Sequence, residues 1–488
     1  MTQTFEPVWL GIDVGTQSVR CLAADRTGTP VSTGSHPLRG TRDDDRHEQD
    51  PHAWWSALAA ASRETMAGVR GRLVRGVALC ATSGTILLAD RDGEPVSPGL
   101  MYDDARAGAE AQRVVDAGTA LWQRLGYRPQ ASWALPKLLW LLAGTPRRDV
   151  RLLHQADYLT GRLVGRPTAV DSSHALKAGY DLDAERWPAG MFDELGIPPA
   201  VLPEVVRPGT PLGGIGREAA GETGIPDGTP VIAGMTDGCA ALLGSGTFEA
   251  GSWNSVLGTT LVLKGVTPQR IHDPLGVVYS HRAPDGNWLP GGASSVGAGV
   301  LAAEFGGADL GELTAKAAAR PHTTVSAYPL VSRGERFPFV ASDAERITVG
   351  EPRDDIDTYA ALLRGVAFAE RLCFDYLDLL GAPADGPLSL TGGGARNRYW
   401  CQLRADTLGR PVTVPEDADP AAGMALLARA EGNPLADVAG DPPREVLDPD
   451  PAQAEVLTDG YLRLVAALHE RGWLPAELTR HARERSTR

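Results

Sequence analysis

Val8-Trp9-Leu10-Gly11-Ile12-Asp13-Val14-Gly15-Thr16, close to the start of the chain, is the stretch that decides the fold. The apolar run 8–12 predicts a buried strand, and the residues from Asp13 to Thr16 predict a tight turn. The run 18–24 predicts a return strand, so the segment is expected to form a β-hairpin. A glycine-containing turn of this kind can point several backbone N–H groups at one phosphate group without a cationic side chain.

A second copy of this pattern lies in the middle of the chain. Residues 252–257 alternate as a strand, Gly258-Thr259-Thr260 predicts the turn, and residues 261–263 lead the chain back out. The repetition indicates a duplicated α/β unit. Since 488 residues exceed what one hydrophobic core usually organises, we expect two lobes and a cleft between them. The predicted boundaries are 1–247 for the N-terminal lobe, 248–435 for the C-terminal lobe, and 436–488 for a linker, a peripheral helix and a solvated tail.

A third glycine-rich turn, Thr391 to Asn397, separates a predicted strand over 388–390 from a predicted helix over 398–408. Each of the three turns is also what an ordinary hairpin or loop needs, so only their combination points to nucleotide phosphates. Apolar residues that recur every three or four positions predict further helices, and short apolar runs predict further strands. The helices are predicted over 51–67, 357–380 and 452–471, and the strands over 76–81, 85–89 and 230–233.

Composition excludes several classes of partner. The formal net charge is −14, and no cluster of Lys and Arg forms the positive surface that nucleic acid requires. The five cysteines contain no CxxC pair, which is typical of reduced thiols inside the cell. Neither a signal peptide nor an apolar run of membrane-spanning length is present, so we expect a cytoplasmic protein with no membrane partner. Oligomeric state leaves no motif in the sequence.

Asp13 lies within the first turn. A carboxylate beside amides that bind phosphate could hold a hydrated Mg²⁺ ion that bridges the nucleotide phosphates. The alternative is an Asp that only satisfies its own turn, because Asp is favoured in turns for its side-chain hydrogen bonds. Both interpretations stay open on this residue alone.

Asp237 ends a run of small apolar residues and is followed by a stretch rich in Gly and Ala. An Asp in such surroundings is not expected to be an ordinary surface charge. A carboxylate there could accept the proton of a sugar hydroxyl as that hydroxyl attacks a phosphoryl group. The alternative is a helix N-cap.

Other nucleotide and metal motifs are missing. The chain has neither a GxxxxGK[ST] loop nor a GxGxxG turn after a strand, which disfavours P-loop enzymes and Rossmann dehydrogenases. The ten histidines are scattered and lack metal-ligand spacing. Neither a metalloenzyme nor a hydrolase gains support.

Taken in order, the motifs resemble those of the FGGY carbohydrate kinases, which belong to the actin-like ATPase superfamily, over roughly residues 8–430. The resemblance implies a two-lobed, ribonuclease H-like α/β fold, with ATP and Mg²⁺ as cofactors and a small sugar as the substrate. It implies Asp237 as the catalytic base and Asp13 as the catalytic carboxylate that binds the metal. The implied ATP-binding residues are Gly15, Thr16, Gln17, Gly258, Thr259, Thr260, Gly292, Gly393, Gly394 and Asn397.

Several segments resemble the D-ribulose kinase and xylulokinase-like subgroup more closely. They are Thr82-Ser83-Gly84-Thr85, Gln155-Ala156-Asp157-Tyr158-Leu159, residues 174–180, Tyr279-Ser280-His281, Gly291-Gly292-Ala293-Ser294 and residues 332–338. The resemblance implies that Ser83, Asp104, Asp237 and Gly238 contact the sugar. It favours phosphorylation of a small ketose at its terminal hydroxyl, with D-ribulose first and D-xylulose or another polyol as alternatives. For residues 332–338 we favour a structural role, because a charged segment readily forms ion pairs.

The chain departs from the subgroup at Gly238, where Ser usually follows the catalytic Asp, and at His174, where Asn is usual. In addition, Tyr102-Asp103-Asp104-Ala105-Arg106 resembles the WNDxR substrate motif of xylulokinases and their relatives, with Tyr102 in place of Trp. A lost hydrogen bond to a substrate hydroxyl can change selectivity strongly, so these departures bear on which sugar is used. A non-catalytic, nucleotide-binding regulator on the same fold is the alternative from another class, since a fold does not guarantee its chemistry.

Overall fold

A computed structural model describes residues 6–147, 149–320, 325–416, 418–440 and 443–487. The described residues form two units, each with its own core. Unit 1 takes its residues from Met1–Phe248, His281–Trp288 and Asp417–Pro442, and unit 2 takes its residues from Glu249–Ser280, Leu289–Glu416 and Pro443–Arg488. Residues 418–440, which the sequence-based boundaries divide between the C-terminal lobe and the linker, therefore cluster with unit 1.

Unit 1 is built on a six-stranded sheet. Its strands follow the order Pro211–Gly214, Pro230–Thr236, Leu73–Ala81, Pro7–Val14, Ser18–Ala24 and Pro30–Pro37. The three central strands are parallel, whereas the predicted hairpin is antiparallel. Asp13 pairs with Cys80, and Cys80 pairs with Met235. The register therefore brings the carboxyl ends of the three parallel strands to one edge of the sheet.

A helix lies against each face of this sheet. Helix Pro51–Gly68 contacts strands Ser18–Ala24 and Pro30–Pro37, and helix Pro420–Ala430 contacts strands Pro7–Val14 and Leu73–Ala81. Gly11 makes the second contact possible, because a Cβ atom there would lie 1.7 Å from the carbonyl oxygen of Ala421.

The other elements of unit 1 surround the sheet. A smaller five-stranded sheet has the order Thr41–Asp43, Arg46–Gln49, Gly99–Leu100, Ile86–Ala89 and Arg151–His154, and Val170–Asp171 pairs with Val205–Val206. Further α-helices are Gly108–Ala117, Thr119–Leu125, Ala134–Gly144, Gln155–Val164, Ser172–Ala175, Ala189–Leu195, Arg217–Thr223, Asp237–Gly244 and Leu435–Val438. Two short 3-10 helices span Leu176–Ala178 and Pro199–Val201.

Unit 2 is built on a seven-stranded sheet. Its order is Tyr279–Arg282, Trp288–Ala293, Leu261–Gly265, Trp253–Leu257, Leu388–Thr391, Val412–Pro415 and Arg444–Leu447, and Ser326–Tyr328 pairs separately with Ile347–Val349. Its helices are Gly299–Glu304, Leu310–Ala318, Asp355–Leu379, Arg398–Leu408, Pro451–Glu470 and Ala476–Arg485, with a 3-10 turn at Gly393–Arg396. The long helix Asp355–Leu379 is buried along most of its length, which explains its apolar periodicity.

The two sheets share one arrangement. In each, a hairpin and a third antiparallel strand lie on one side, and the first hairpin strand pairs in parallel with a later strand on the other side. The hairpins are Pro7–Val14 with Ser18–Ala24 and Trp253–Leu257 with Leu261–Gly265. The predicted duplicated α/β core is therefore confirmed.

The predicted linker and tail hold more structure than the sequence indicates. Arg444–Leu447, inside the predicted linker, is an edge strand that pairs with Val412–Pro415, and only its last residue is buried. Helix Ala476–Arg485 occupies most of the predicted solvated tail. It buries Leu478, Thr479 and Ala482, and the Arg485 guanidinium lies 2.8 Å from the Asp375 carboxylate. The prediction of a solvated tail was wrong, because three buried side chains among many charged ones give a weak apolar signal.

Among the described helices, none combines the length and the apolar character that crossing a membrane would require.

Candidate active site

The ends of the three parallel strands of unit 1 hold the residues that the sequence singles out. Asp13 lies one residue before the end of strand Pro7–Val14, Ser83 follows strand Leu73–Ala81 by two residues, and Asp237 directly follows strand Pro230–Thr236. Parallel neighbouring strands end at the same edge, so the fold brings these predicted residues to one place.

The Asp13 carboxylate is held among other acidic groups. Burial, together with the negative charges of Asp237 and Asp419, raises the pKa of Asp13 to about 7. The Cys80 thiol donates a weak hydrogen bond to Oδ1 at 3.5 Å and, together with the Arg20 guanidinium, opposes that rise in pKa. Asp13 and Asp237 therefore repel each other within unit 1, and a cation would relieve that repulsion.

Asp419 is a member of this acidic group that the sequence analysis missed. It caps helix Pro420–Ala430 by accepting a hydrogen bond from the backbone N–H of Ala421 at 2.8 Å. Its Oδ2 also lies 2.5 Å from Arg20 Nη1. The Asp-Pro pair is a recognisable helix start, but nothing local indicates that this helix packs beside Asp13.

Asp237 is the first residue of helix Asp237–Gly244, and Thr236 holds the N-cap position. The structure therefore does not support the alternative that Asp237 is an N-cap. Its Oδ1 accepts a hydrogen bond from the backbone N–H of Gly238 at 2.7 Å. A carboxylate in the first turn of a helix is favoured in its charged form, which a proton acceptor requires.

The neighbours of Asp237 leave space for a small polar ligand. Apart from the adjoining residues and the backbone of its own helix, no described atom lies within 4 Å of the position that a Cβ atom on Gly238 would take. The Ser83 hydroxyl oxygen is buried and has no hydrogen-bond partner among the described residues. A buried hydroxyl without a partner costs free energy, which a ligand hydroxyl would offset.

Asp104 is placed differently from the other predicted sugar-binding residues. Its side chain is fully buried and accepts hydrogen bonds from the backbone N–H of His47 at 2.9 Å and from Arg106 Nη2 at 2.7 Å. Arg106 Nη2 also lies 2.6 Å from Glu48 Oε1. These contacts give Asp104 a structural function, and its contact with sugar stays a prediction.

The first predicted phosphate turn is fixed by its own backbone. The N–H of Gly15 donates to the carbonyl oxygen of Ser18 at 3.0 Å, and the carbonyl oxygen of Gln17 accepts from the N–H of Leu38 at 2.8 Å. The carbonyl oxygen of Thr16 accepts from Gln49 Nε2 at 2.8 Å. With these three bonds directed toward the protein, the turn is held in a defined shape.

The second predicted turn, in unit 2, is closed in the same way. The N–H of Gly258 donates to the carbonyl oxygen of Thr260 at 3.0 Å, and the carbonyl oxygen of Thr259 accepts from Gly299 at 3.1 Å. Gly297 lies under the turn so closely that a Cβ atom there would be 2.3 Å from the carbonyl oxygen of Thr259. The duplicated hairpins thus carry matching turns.

A cavity of about 550 Å³ lies beside the third predicted turn, within unit 2. Gly393, Gly394 and Asn397 line it, together with Thr314 and Tyr359. Asn397 Nδ2 donates to Thr314 Oγ1 at 3.0 Å, and Thr314 Oγ1 lies 2.8 Å from the Tyr359 hydroxyl. Its mixed apolar and polar lining suits a flat heterocycle with polar edges.

Gly292 is not among the described residues that line this cavity. It lies in strand Trp288–Ala293, where a Cβ atom would be 2.8 Å from Cδ2 of Phe337, so packing accounts for the glycine. Nearby, the buried Glu335 accepts hydrogen bonds from Tyr328 and from the Ser295 backbone at 2.6 and 2.7 Å. This supports the structural role that we expected for residues 332–338.

A magnesium ion fits the Asp13 surroundings in chemical terms. Within the described parts of the chain, no group of three or more His, Cys, Asp or Glu side chains could hold a metal ion on its own. Mg²⁺ in kinases is commonly held by one or two carboxylates, with phosphate oxygens and water completing its shell. A bound cation would favour the ionised form of Asp13, which burial and the acidic neighbours disfavour.

Comparison with known proteins agrees with this geometry. The model of the N-terminal domain of the FGGY family of carbohydrate kinases matches residues 8–244, and that of the C-terminal domain matches residues 253–431. This chain belongs to the FGGY family of carbohydrate kinases. It is therefore an ATP-dependent sugar kinase with the two-domain, actin-like ATPase fold.

Similar FGGY kinases include proteins named xylulose kinase. That of Streptomyces rubiginosus is 31% identical over 487 residues, which cover 96% of this chain and 98% of the relative. That of Streptomyces coelicolor is 33% identical and covers 84% of this chain and 85% of the relative. The crystal structure of xylulose kinase from Rhodospirillum rubrum has a TM-score of 0.85 at 27% identity, covering 94% of this chain and 99% of that one.

Proposed function

We propose that this FGGY kinase transfers the γ-phosphoryl group of ATP to the terminal hydroxyl of a small ketose, with D-ribulose as the expected sugar and Asp237 as the base. One observation carries the proposal. Asp13 and Asp237 interact electrostatically at one sheet edge, where the strand between theirs leads to Ser83 with its buried, unpartnered hydroxyl. This arrangement provides a proton acceptor, a hydroxyl ligand and a cation-binding carboxylate in one place.

Asp237 accepts the hydroxyl proton as the sugar oxygen attacks. It lies in the first turn of a helix, and the open space beside Gly238 is where this proposal places the sugar. The Ser83 hydroxyl forms a hydrogen bond with a sugar hydroxyl, which gives its buried oxygen the partner that it lacks among the described residues. Positioning and charge neutralisation supply most of the acceleration in phosphoryl transfer.

Asp13 holds the magnesium ion in this proposal. The ion, when bound, neutralises the charge that develops on the phosphoryl oxygens. The Asp13 carboxylate must be ionised to bind it, and its raised pKa makes that binding weaken in acid.

ATP is held by the glycine-rich turns. In unit 1, the backbone N–H groups of Thr16 and Gln17 bind phosphate oxygens, since the Gly15 N–H closes its own turn. In unit 2, the N–H groups of Thr259 and Thr260 have the matching role, since the Gly258 N–H closes that turn. Gly393, Gly394 and Asn397 line the cavity for adenosine.

D-xylulose is the second candidate sugar, because the relatives reported above are named xylulose kinase. The two pentuloses differ only in the configuration of one hydroxyl group. Gly238 lacks the side-chain hydroxyl of the Ser that usually follows the catalytic Asp. We therefore expect contacts beside Asp237 to determine which of the two sugars is preferred.

The test is Mg²⁺-dependent ATP consumption across a panel of ketopentoses, aldopentoses and polyols. We expect one ketopentose to stimulate turnover and Asp237→Asn to lower kcat at least about a thousandfold, as loss of a base and of its positioning would. Asp227→Asn, at an exposed position of unit 1, is the matched control and keeps wild-type rates. A protein that ATP stabilises against heat while no sugar is consumed would support the regulator instead.

A further inference from the structure

A buried polar cluster lies behind the sugar-facing strand ends of unit 1. Its centre is the Asp171 carboxylate, which caps the short helix Ser172–Ala175. Oδ1 accepts hydrogen bonds from the backbone N–H groups of Ser173 and His174 at 2.9 and 3.1 Å, and from Ser173 Oγ at 2.5 Å. Oδ2 lies 2.5 Å from Nδ1 of His174. The side chains of all three residues are buried.

Two of these residues reach the strand ends that carry the site. His174 Nε2 lies 3.3 Å from the carbonyl oxygen of Ala81, two residues before Ser83. Ser173 Oγ accepts a hydrogen bond from the backbone N–H of Thr236 at 2.9 Å, one residue before Asp237. A single carboxylate thus connects, through its two neighbours, the chain positions of the sugar-binding hydroxyl and of the base.

The hydrogen-bond chemistry favours one protonation state. A carboxylate and a carbonyl oxygen are both acceptors, so both contacts of the His174 ring are hydrogen bonds only when each ring nitrogen carries a hydrogen, as in an imidazolium. Ser173 has one hydroxyl hydrogen, which goes to Asp171, and its oxygen accepts the Thr236 N–H. Every donor in the cluster therefore has a defined acceptor, and neutral His174 would have to give up one of its two bonds.

We propose that Asp171, Ser173 and protonated His174 form a positioning unit that sets the spacing between Ser83 and Asp237 for phosphoryl transfer. The proposal rests on the proposed function for the roles of those two residues. None of the three members touches the sugar in this scheme, and they act through the strand ends.

The surroundings of His174 agree with a protonated ring. Burial alone would lower its pKa, but the charge and hydrogen bond of Asp171, with a further contribution from Asp157, raise the pKa above its ordinary value. The His154 ring also faces it, with ring centroids 5.9 Å apart, and His154 Nδ1 lies 2.8 Å from Asp157 Oδ2. Because the pKa of His174 is raised, its ring stays protonated to a higher pH than an ordinary histidine, and the unit loses a bond as the pH rises through that pKa.

The first test is the pH dependence of kcat/KM for the sugar in the wild type and in His174→Asn. Asn keeps a donor but cannot hold both acceptors and does not titrate. We expect a fall of about tenfold to a hundredfold in kcat/KM for the sugar at pH 7, the size that small misplacements of reacting groups produce, with KM for ATP within about twofold. The alkaline fall of the wild-type profile should be absent from the variant. His481→Asn, which removes a similar His–Asp pair in unit 2, should keep the wild-type profile.

The second test does not depend on turnover. Nitrogen-15 NMR of histidine-labelled protein, assigned by difference from His174→Asn, should show both ring nitrogens of His174 mostly protonated at pH 6.5, where an ordinary histidine is about half neutral. A neutral ring at that pH, or an alkaline limb that persists in His174→Asn, would overturn the positioning unit. If no sugar is consumed by the wild type, the proposed function fails, while the NMR result still decides whether the unit exists in its charged form.

Discussion

Asp13→Asn is expected to abolish turnover and yet stabilise the protein in the absence of metal. Burial and the charges of Asp237 and Asp419 raise the pKa of Asp13 from 3.8 to about 7, which corresponds to roughly 4 kcal/mol at about 1.4 kcal/mol per pH unit. Below pH 3.8 the carboxyl is protonated in both the folded and the unfolded chain, so it does not lower the free energy of unfolding. Between pH 3.8 and about 7 the Asp13 carboxyl is ionised in the unfolded chain but protonated in the folded protein, so the free energy of unfolding falls as the pH rises. Above pH 7 the carboxyl is ionised in both states, and the full destabilisation is present.

Asn removes the charge and keeps an oxygen that can accept from Cys80. We expect it to recover about half of that cost, ~2 kcal/mol, or roughly 3 °C in Tm at pH 8 for a unit of this size. Scanning calorimetry in a chelating buffer at pH 8 and pH 5 measures the difference, with Asp149→Asn at an exposed position as the control. A variant that is no more stable than the wild type at pH 8, or that gains as much at pH 5, would refute the electrostatic account of Asp13.

Three further substitutions test the other parts of the site. Gly297→Ala should raise KM for ATP at least about tenfold in initial-rate assays without changing KM for the sugar, because its Cβ would displace the turn at Thr259. Gly221→Ala should leave both KM values unchanged, since outside its own helix and adjoining residues no described atom lies within 4 Å of its Cβ position. Thr314→Val should weaken ATP binding about three- to tenfold in titration calorimetry, since it removes the hydroxyl that joins Asn397 to Tyr359. An unchanged affinity for ATP would show that adenosine does not bind in this cavity. Gly238→Ser should change the ratio of kcat/KM for D-ribulose to kcat/KM for D-xylulose at least about tenfold. A ratio within twofold of the wild-type value would show that this position does not determine sugar selectivity.

Local signals account for what the sequence predicts well. The hairpin at 8–24 and its counterpart at 252–263 combine apolar strands with a glycine turn, and both lie within one short segment. Asp237 stood out because a charge follows a buried strand. Helix Arg398–Leu408 begins and ends where its N-cap Asn397 and its C-cap Gly409 indicate.

The remaining features depend on contacts between distant segments, which no local pattern encodes. Asp419 reaches the surroundings of Asp13 only because helix Pro420–Ala430 packs on strand Pro7–Val14. The contacts of Asp104 with Arg106 and His47 could not be inferred from the local sequence at 103–106, since the same residues would suit a sugar. The role proposed for His174 depends on its contacts with Asp171 and with the Ala81 carbonyl oxygen, and the second contact joins segments far apart in the sequence.

The close approach at Gly11 has a consequence for synthesis of the protein on the ribosome. Arg20 and its partner Asp419 are 399 residues apart, so at 5–20 residues per second roughly 20–80 s separate their translation. Until the segment around Pro420–Ala430 emerges, the apolar face formed by Leu22 and Ala24 lacks its covering residues Ala421 and Ala425. The first half of the nascent chain therefore cannot complete its own core, and we expect a fragment that stops before residue 418 to need a chaperone to stay in solution.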